Sequence, residues 1–416
     1  MGLLGSAVAC GGGESGTPTL TWYINPDPNP PPDFEGAFGQ AGIAERCSTD
    51  AYKIETELLP GSASEQRIQL ARRLAADDPS IDLMSLDPVF TAEFADADFL
   101  EPYSDEEQAA LSEDVLQGAI DGATWEDSLV VAPLWANTQV LWYRKSVTDA
   151  AGLDMTQPVT WEQIIAAASD NDATVGVQAN RYEGYVVWIN ALITGAGGSI
   201  ITDVEEGSDA AVTLDTEAGT AAARVIENLA SSRAAMADLS VSNEGTVLGP
   251  FGEEGGGFIV NWTFVYNNYA AGDVIDDIGW ARYPATVEGE ESRPPIGGIN
   301  IGIGAFSDHP ELAKEAVACM TSEEQQIQYA VETANMPARE SAYESAELNE
   351  QFPEDLLELW RESIETAGPR PATPYWSTVV NAMLGGWHPA ASVDPESTPA
   401  GSDEFVADVL SGDALS

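Results

Sequence analysis

Apolar and polar positions alternate at the start of the stretch 294–340, and the pattern then changes to a helical period. The isoleucines within 299–303 occupy every second position, which predicts a strand. The glycine pair 297–298 before it leaves backbone groups accessible to a ligand. The apolar residues of 312–320 recur at helical spacing, and 321–324 has the pattern of a capping box that starts a second helix. The stretch therefore predicts a strand with an exposed entry, followed by two helices.

The rest of the chain repeats short apolar strands and longer amphipathic helices. Strands are predicted at 20–24, 81–86, 140–143, 175–178 and 255–262, and helices at 34–46, after Ser62, and at 160–168, 185–193 and 375–384. This order favours an α/β architecture. The 416 residues exceed what one ordinary core holds, so we expect two lobes.

Acidic residues dominate the charge of the chain. The sequence has 69 Asp and Glu residues against 16 Lys and Arg, a net charge of −53. Nucleic acid is excluded as a partner because it requires basic patches, and a strongly anionic ligand is disfavoured. Two interpretations remain: a solvated acidic surface suited to salty surroundings, or an acidic cleft for polyamines or metal cations. After residue 10 no run reaches the ~18 consecutive apolar residues of a membrane span.

Polar side chains follow two predicted strands at their carboxyl ends. Asn25 comes after the first strand, and Asp87 follows the strand at 81–86. In doubly wound α/β folds such positions line the ligand crevice, although a turn or a cap explains either residue equally well. Asn137 is a third candidate because its amide both donates and accepts, which suits hydroxyl groups. A turn asparagine at a hinge is the alternative for Asn137.

Trp262 and Arg370 suit a carbohydrate ligand. Trp262 leaves a predicted strand just after Asn261, and an indole packs well on the apolar C–H face of a sugar ring. A core tryptophan is the other interpretation. Arg370 stands between two prolines, which lowers the entropy cost of holding its fork of donors against adjacent hydroxyl oxygens. The backbone amides of Gly297 and Gly298 would face the same crevice from the opposite side.

Motifs for catalysis and metal binding are missing from the sequence. His309 and His388 are the two histidines, and neither has ligand partners at metal spacing, so we expect no metal and no cofactor. The sequence has no nucleophile elbow, P-loop or dinucleotide fingerprint. We therefore expect a monomeric binding protein rather than an enzyme. A glycoside hydrolase stays open, because it needs only two suitably spaced carboxylates.

The first ten residues end in small residues and a cysteine. Ala7-Val8-Ala9-Cys10 resembles the lipobox of a bacterial lipoprotein signal, although Ala7 stands where leucine is typical and basic residues are missing before it. We expect a lipid anchor on Cys10, with a stray thiol as the alternative. The glycine-rich segment 11–18 would then be a flexible tether.

Several short motifs carry a family resemblance. The glycine-pair strand followed by HPELAKE, TSEEQQ and NMPAR resembles the extracellular solute-binding proteins (family 1) of sugar ABC importers. The stretches IDLMSLDPVFTAEFADADFLEPYS, VQANRYEGYVVWINALITGAGGSII and RPATP resemble the mycobacterial trehalose-binding lipoproteins of that family. Together these motifs cover most of the chain.

The resemblance implies a two-lobed, type II periplasmic-binding-protein-like α/β fold, with mixed sheets flanked by helices and a hinge near 133–137. By this resemblance we expect a remnant signal and tether at 1–18, a first lobe of 19–134 plus 283–322, a second lobe of 135–282 plus 323–398, and an acidic tail at 399–416.

The resemblance also assigns roles to individual residues. In the family, the positions that match Asp87, Glu244 and Arg370 contact the sugar, so the same role is expected here. Cys47 and Cys319 match cysteine positions of the related lipoproteins. With Cys10 reserved for the anchor they leave an even count at an oxidising cell surface, and we expect them to form a disulfide.

The implied function is capture of a disaccharide, foremost trehalose, and its delivery to a membrane ABC permease. The protein would be lipid-anchored on the extracellular face of the cell membrane. Another oligosaccharide of the maltose type is the main alternative. A polyamine receptor on the same fold is less favoured, because Arg370 would repel a cation.

Overall fold

One long strand, β6 (Ala132–Arg144), joins the two halves of the molecule. The structure, a computed structural model, describes residues 16–30 and 34–415. Residues 132–138 of β6 pair with one half of the sheet, and residues 139–144 pair with the other half. The expectation of a separate strand at 140–143 is wrong, since the strand runs without interruption through Asn137.

The other strands of the described residues are β1 (Thr19–Ile24), β2 (Lys53–Leu58), β3 (Leu83–Leu86), β4 (Thr124–Trp125), β5 (Ser128–Leu129), β7 (Thr174–Gly176), β8 (Ile201–Thr202), β9 (Ala211–Val212), β10 (Gly256–Trp262), β11 (Ile278–Ala281) and β12 (Ile296–Ile303). The helices are α1 (Gly39–Cys47), α2 (Ala63–Leu74), α3 (Thr91–Asp96), α4 (Asp105–Ser112), α5 (Gln117–Asp121), α6 (Lys145–Ala151), α7 (Trp161–Asp170), α8 (Glu183–Gly195), α9 (Glu217–Ser231), α10 (Leu248–Gly252), α11 (Val265–Tyr269), α12 (Pro310–Met320), α13 (Glu323–Thr333), α14 (Ala346–Gln351), α15 (Glu354–Glu365), α16 (Trp376–Trp387) and α17 (Thr398–Ser411).

The first lobe is built on the strand order β2-β1-β3-β12-β6. β1 pairs in parallel with β2 and β3, and β12 lies antiparallel between β3 and β6. All four residues of β3 are buried, as expected for a strand covered by helices on both faces. On this lobe Cys47, at the end of α1, forms a disulfide with Cys319 of α12.

The second lobe is built on the last part of β6 together with β10, β7 and β11. β10 and β11 are antiparallel to β6, and β7 is parallel to β10. The almost wholly buried helix α8 packs against α9 and α16. A separate aromatic cluster forms where the ring of Trp142 contacts Trp280 and Trp360.

Four extended segments lie side by side where the lobes meet. Residues 136–138 of β6 pair with 296–298 of β12. On one side of this pair Ala136 N–H donates to the carbonyl of Met336, and on the other side Gly368 N–H donates to the carbonyl of Pro294. We call these segments the junction. They place short, hydrogen-bonded backbone at the base of the interlobe space.

Two segments contact elements outside the lobe expected for them. α13, expected in the second lobe, packs against α1 of the first lobe as well as against α14. The segment before β12, expected in the first lobe, contacts the start of α7: Ala285 N–H donates to the carbonyl of Val159, and the Ala285 carbonyl accepts from Trp161 N–H.

Two helix ends and the tail also differ from expectation. α1 begins at Gly39 rather than at 34. The capping box at 321–324 does not form, because the Thr321 hydroxyl donates to the carbonyl of Val317 instead. The expected acidic tail from 399 forms α17, which packs on α16 and buries Val406.

The expected anchor Cys10 and most of the tether lie outside the described residues. Among the described residues, every helix is too short or too polar to cross a bilayer.

Candidate functional site

A buried arginine links the two lobes. Arg370 Nη1 donates to Oε1 of Glu183 at 2.9 Å, and its Nη2 donates to Oδ1 of Asp87 at 2.9 Å. Only 4% of the Arg370 side chain is exposed. Asp87 follows β3 in the first lobe, whereas Glu183 and Arg370 belong to the second. The ion pair of Arg370 with Asp87 therefore crosses between the lobes.

Local backbone structure fixes each member of this ionic cluster. Asp87 Oδ1 accepts from Val89 N–H, so the carboxylate is held at the carboxyl end of β3. Arg370 comes two residues after Gly368, which is hydrogen-bonded at the edge of the junction. Glu183 is the first residue of α8, where the helix dipole favours a negative charge.

Arg370 stays charged although water is excluded from the cluster. Burial by itself lowers the pKa of Arg370, but the carboxylates of Asp87 and Glu183 raise it above the ordinary value, so the guanidinium stays charged. Burial raises the pKa of Glu183, and Arg370 opposes that rise. With two carboxyl groups and one guanidinium, the cluster has more acidic than basic groups.

Glu244 and Tyr182 extend the polar cluster. Burial raises the pKa of Glu244, and the carboxylates of Glu183 and Asp87 contribute to the rise. The hydroxyl oxygen of Tyr182 is shielded from water and faces the Glu244 carboxylate. Burial and the nearby Glu244 carboxylate raise the pKa of Tyr182 well above its ordinary value. Gly184 makes room for this ring, because a Cβ there would overlap it.

Trp262 ends β10 and lies against the first glycine of the pair in β12. A Cβ on Gly297 would come within 2.9 Å of Cη2 of the half-buried indole. Gly298 has a φ of +132°, and a Cβ there would overlap the backbone oxygen of Trp135. Both glycines are therefore required for close approach, Gly297 to an aromatic ring and Gly298 to neighbouring backbone.

Asn137 lies beside Gly297 in the sheet, but its amide is used within the protein. Its Nδ2 donates to Oδ1 of Asn335 at 3.0 Å, and its Oδ1 accepts from the Thr263 hydroxyl at 2.8 Å and from Thr138 N–H at 2.9 Å. The residue is 7% exposed. The alternative of a turn asparagine is wrong, since Asn137 sits inside β6.

Asn25 lies apart from the ionic cluster. Its carbonyl accepts from Nε2 of Gln40 at 2.9 Å, and Gln40 also bonds to Asp27 and accepts from the Ser85 hydroxyl. The side-chain Oδ1 of Asn25 is shielded from water and has no hydrogen-bond partner among the described residues. The structure therefore places Asn25 in a polar network of the first lobe rather than next to Arg370.

A cavity of about 370 Å³ adjoins the ionic cluster. Arg370 and Gly297 line it together with first-lobe residues of 88–92 and 118–124 and second-lobe residues of 199–205. This volume is at the small end of the roughly 300–1,000 Å³ typical of ligand cavities. Among the predicted residues Arg370 and Gly297 line the cavity, while Trp262 packs against Gly297 without lining it.

Sequence reasoning missed Glu183 and Tyr182. Both belong to the run 181–184, where an aromatic residue, an acid and a glycine start a helix that is buried almost throughout. A single charged residue at the start of an otherwise uncharged and mostly apolar helix was the available signal, because a buried acid requires a partner.

The comparisons with known proteins agree with this architecture. A family model described as bacterial extracellular solute-binding protein matches residues 38–327. The maltose-bound MalE3 of T. maritima superimposes with a TM-score of 0.81 at 21% identity, covering 95% of this chain and 100% of that one. The GacH receptor of Streptomyces glaucescens, solved unliganded and with acarbose, gives 0.76 at 19% identity, covering 95% and 99%.

A third solved structure is the cyclic alpha-maltosyl-1,6-maltose binding protein from Arthrobacter globiformis. It gives a TM-score of 0.70 at 20% identity and covers 95% of this chain and 99% of that one. These similarities confirm the expected two-lobed, type II α/β fold with helices flanking a mixed sheet.

Proposed function

Because this chain belongs to the family of bacterial extracellular solute-binding proteins, we propose that it captures an uncharged disaccharide between its lobes and delivers it to a membrane ABC permease. Trehalose is the first candidate, on the strength of the sequence resemblance. The protein would act at the extracellular face of the membrane, held by a lipid on Cys10.

Trp262 and Arg370 both contact the segment 296–297 of the junction, and this proximity carries the proposal. An indole supplies an apolar face for a sugar ring, and a guanidinium and a phenol supply donors for its hydroxyl groups. The Tyr182 hydroxyl faces the Glu244 carboxylate, so both groups lie in the polar cluster next to Glu183. Hydroxyl groups of a sugar can pair with buried polar groups of this kind, whose burial without a partner costs about 1–3 kcal/mol.

Calorimetric titration with trehalose tests the proposal. Trp262→Ala and Arg370→Ala are each expected to weaken binding by roughly ten- to hundredfold, about 1.4–2.8 kcal/mol. Trp280→Ala and Arg361→Ala are matched controls: Trp280 lies in the aromatic cluster of the second lobe, and Arg361 forms an exposed pair with Glu365. Unchanged affinity in both site variants would remove the site assignment.

A maltose-type oligosaccharide is the second candidate ligand, favoured by the names of the structures with similar folds, one of which is bound to maltose. A thermal-shift panel of trehalose, maltose, maltotriose and spermidine separates the candidates, because only a ligand that binds the folded state raises its melting temperature. We expect the largest rise with trehalose. Stabilisation by spermidine alone would favour the polyamine receptor, and released glucose after incubation with trehalose would favour a hydrolase.

The anchor is tested separately from the ligand. When the full chain is expressed in a bacterium that processes lipoproteins, we expect labelled fatty acid to be incorporated into the wild-type protein and not into Cys10→Ser. Equal labelling of the two proteins, or none in either, would contradict the anchor without affecting the binding site.

A further inference from the structure

The buried carboxyl group of Glu183 accepts hydrogen bonds from two side chains. Its Oε1 accepts from Arg370 Nη1 at 2.9 Å and from Trp376 Nε1 at 3.2 Å. Its side chain is 4% exposed, the same fraction as that of Arg370. A carboxylate removed from water in this way is retained only with compensating partners, and here the partners are one cation and one indole of the same lobe.

The Nη2 group of Arg370 points out of the second lobe. Nη2 meets Asp87 at 2.9 Å and lies 3.4 Å from the carbonyl oxygen of Ile296 at the junction. The pair with Glu183 lies within the second lobe, whereas the pair with Asp87 connects the two lobes. Glu183 is thus placed to hold the guanidinium while its free edge faces the first lobe.

We propose that Glu183 is a positioning residue for ligand capture, which orients the Arg370 guanidinium toward the interlobe site and, with Asp87 and Glu244, restricts that site to uncharged sugars. This inference rests on the proposed function and names the substrate class of the same site. Glu183 acts through Arg370, whose donors remain directed at Asp87 and the ligand. Two carboxylates pair with the single guanidinium, and Glu244 lies near both of them, so an excess of acidic groups disfavours a phosphorylated or acidic sugar.

A double-mutant cycle tests the positioning role by titration with trehalose. Glu183→Gln keeps the side-chain shape and one acceptor oxygen but removes the charge. We expect it to weaken binding at least tenfold in the wild-type background and less than twofold in the Arg370→Ala background, because no guanidinium is left to orient. If Glu183 only supported α8 and Trp376, the loss would be the same in both backgrounds, which would overturn the proposal.

The Glu183→Asp variant and the melting temperatures of all variants distinguish a loss of binding from a loss of folding. Removing one partner of a buried ion pair destabilises the fold, so each variant is titrated well below its melting temperature. Glu183→Asp keeps the charge on a shorter side chain, and we expect it to bind trehalose more tightly than Glu183→Gln. Binding by the aspartate variant that is no tighter than that of the glutamine variant would count against a charge-mediated role.

Discrimination between neutral and anionic sugars provides an independent readout. We expect the wild type to bind trehalose at least ~100-fold more tightly than trehalose 6-phosphate, and Glu183→Gln to narrow this ratio about tenfold by removing one repelling charge. An unchanged ratio would overturn the restriction to uncharged sugars. If the wild type bound no sugar of the panel, the proposed function itself would be contradicted. If it bound sugar but the effects of Glu183→Gln and Arg370→Ala on affinity were additive, only this inference would be overturned.

Discussion

At the scale of single residues, we expect the two glycines of the pair in β12 to affect different properties: Gly298 the stability of the fold, and Gly297 mainly the binding of sugar. Gly298 has a φ of +132° and no room for a Cβ beside the Trp135 carbonyl, which is part of the backbone and cannot move away. Gly298→Ala is therefore expected to lower the free energy of unfolding by about 3 kcal/mol or more, from backbone strain plus overpacking. Urea denaturation measures this loss.

Gly297→Ala is the matched control for that change. Its Cβ would come within 2.9 Å of the half-buried indole of Trp262, a side chain that can shift. We expect a loss of stability of about 1 kcal/mol or less, together with roughly tenfold weaker sugar binding as the ring is displaced. Equal loss of stability in the two variants would show that the close contact of Gly298 with the backbone is not special.

For Arg370, the sequence predicted how the side chain is held but not which residues it contacts. The flanking prolines predicted a rigidly mounted cation, and the structure has the side chain held and buried. The identity of its partners could not be predicted, because Glu183 and Asp87 are 187 and 283 positions away. Asn137 illustrates the opposite limit, since its predicted capacity to donate and accept is used by Asn335 and Thr263.

At the scale of elements, the loop after β1 is tied to α13 through a buried carboxylate. Asp27 Oδ1 accepts from the Tyr329 hydroxyl at 2.7 Å, and its Oδ2 accepts from Gln40 N–H at 2.7 Å. Burial raises the pKa of Asp27, and these hydrogen bonds oppose the rise. The folded state therefore binds the proton of Asp27 more tightly than the unfolded chain does.

The stability of the protein should accordingly depend on pH through Asp27. The contribution is fully present below the ordinary aspartate pKa of about 3.9 and is lost as the pH rises through the higher folded pKa. In denaturation curves from pH 4 to 8, the free energy of unfolding of the wild type minus that of Asp27→Asn should fall with increasing pH. A difference that grows with pH would mean that the pKa is lowered instead.

The disulfide joins two helices of the first lobe that are distant in sequence. Cys47 ends α1 and Cys319 lies in α12, 272 positions later. Closing so long a loop in the unfolded chain supports up to about 5 kcal/mol of stabilisation. We expect the double variant Cys47→Ser with Cys319→Ser to lose about 2–5 kcal/mol. Adding reductant to the variant should change nothing, and an equally stable variant would exclude a stabilising bridge.

The elements themselves were predictable in type more often than in extent. The alternating isoleucines predicted β12, and the apolar helix at 185–193 is part of α8. Only the last part of β6 was predicted, at 140–143, because Asn137 and Thr138 interrupt its apolar run. Their side chains are buried by partners from distant segments, Asn335 and the carbonyl of Pro295, which no local pattern reveals.

At the scale of the whole molecule, length and motif order predicted two lobes, while the contacts of the segments near the junction could not be predicted. Helix α13 follows α12 directly and was assigned to the second lobe. Its Glu332 forms an ion pair with Arg46 of α1, and its Tyr329 stacks on Trp135. Such pairings join segments that are distant in the sequence, and they become visible only in three dimensions.

The charge of the whole chain leads to the last prediction. With 69 acidic residues against 16 basic ones, most carboxylates have no cationic partner, so the folded state is opposed by self-repulsion. The Debye length falls from about 30 Å at 0.01 M salt to about 3 Å at 1 M, which removes most of this repulsion. We expect the melting temperature to rise by on the order of 10 °C over that range.

A surface variant and the ligand together identify repulsion as the cause. Glu288 and Glu290 are exposed and carry no ion pair among the described residues, so Glu288→Lys with Glu290→Lys should raise the melting temperature at low salt and flatten its salt dependence. The affinity for an uncharged disaccharide should change less than about twofold over the same range, because no net charge is transferred on binding. A melting temperature independent of salt would show that the acidic surface does not oppose folding. A steep change of the disaccharide affinity with salt would show that charged groups of the protein contribute to sugar binding.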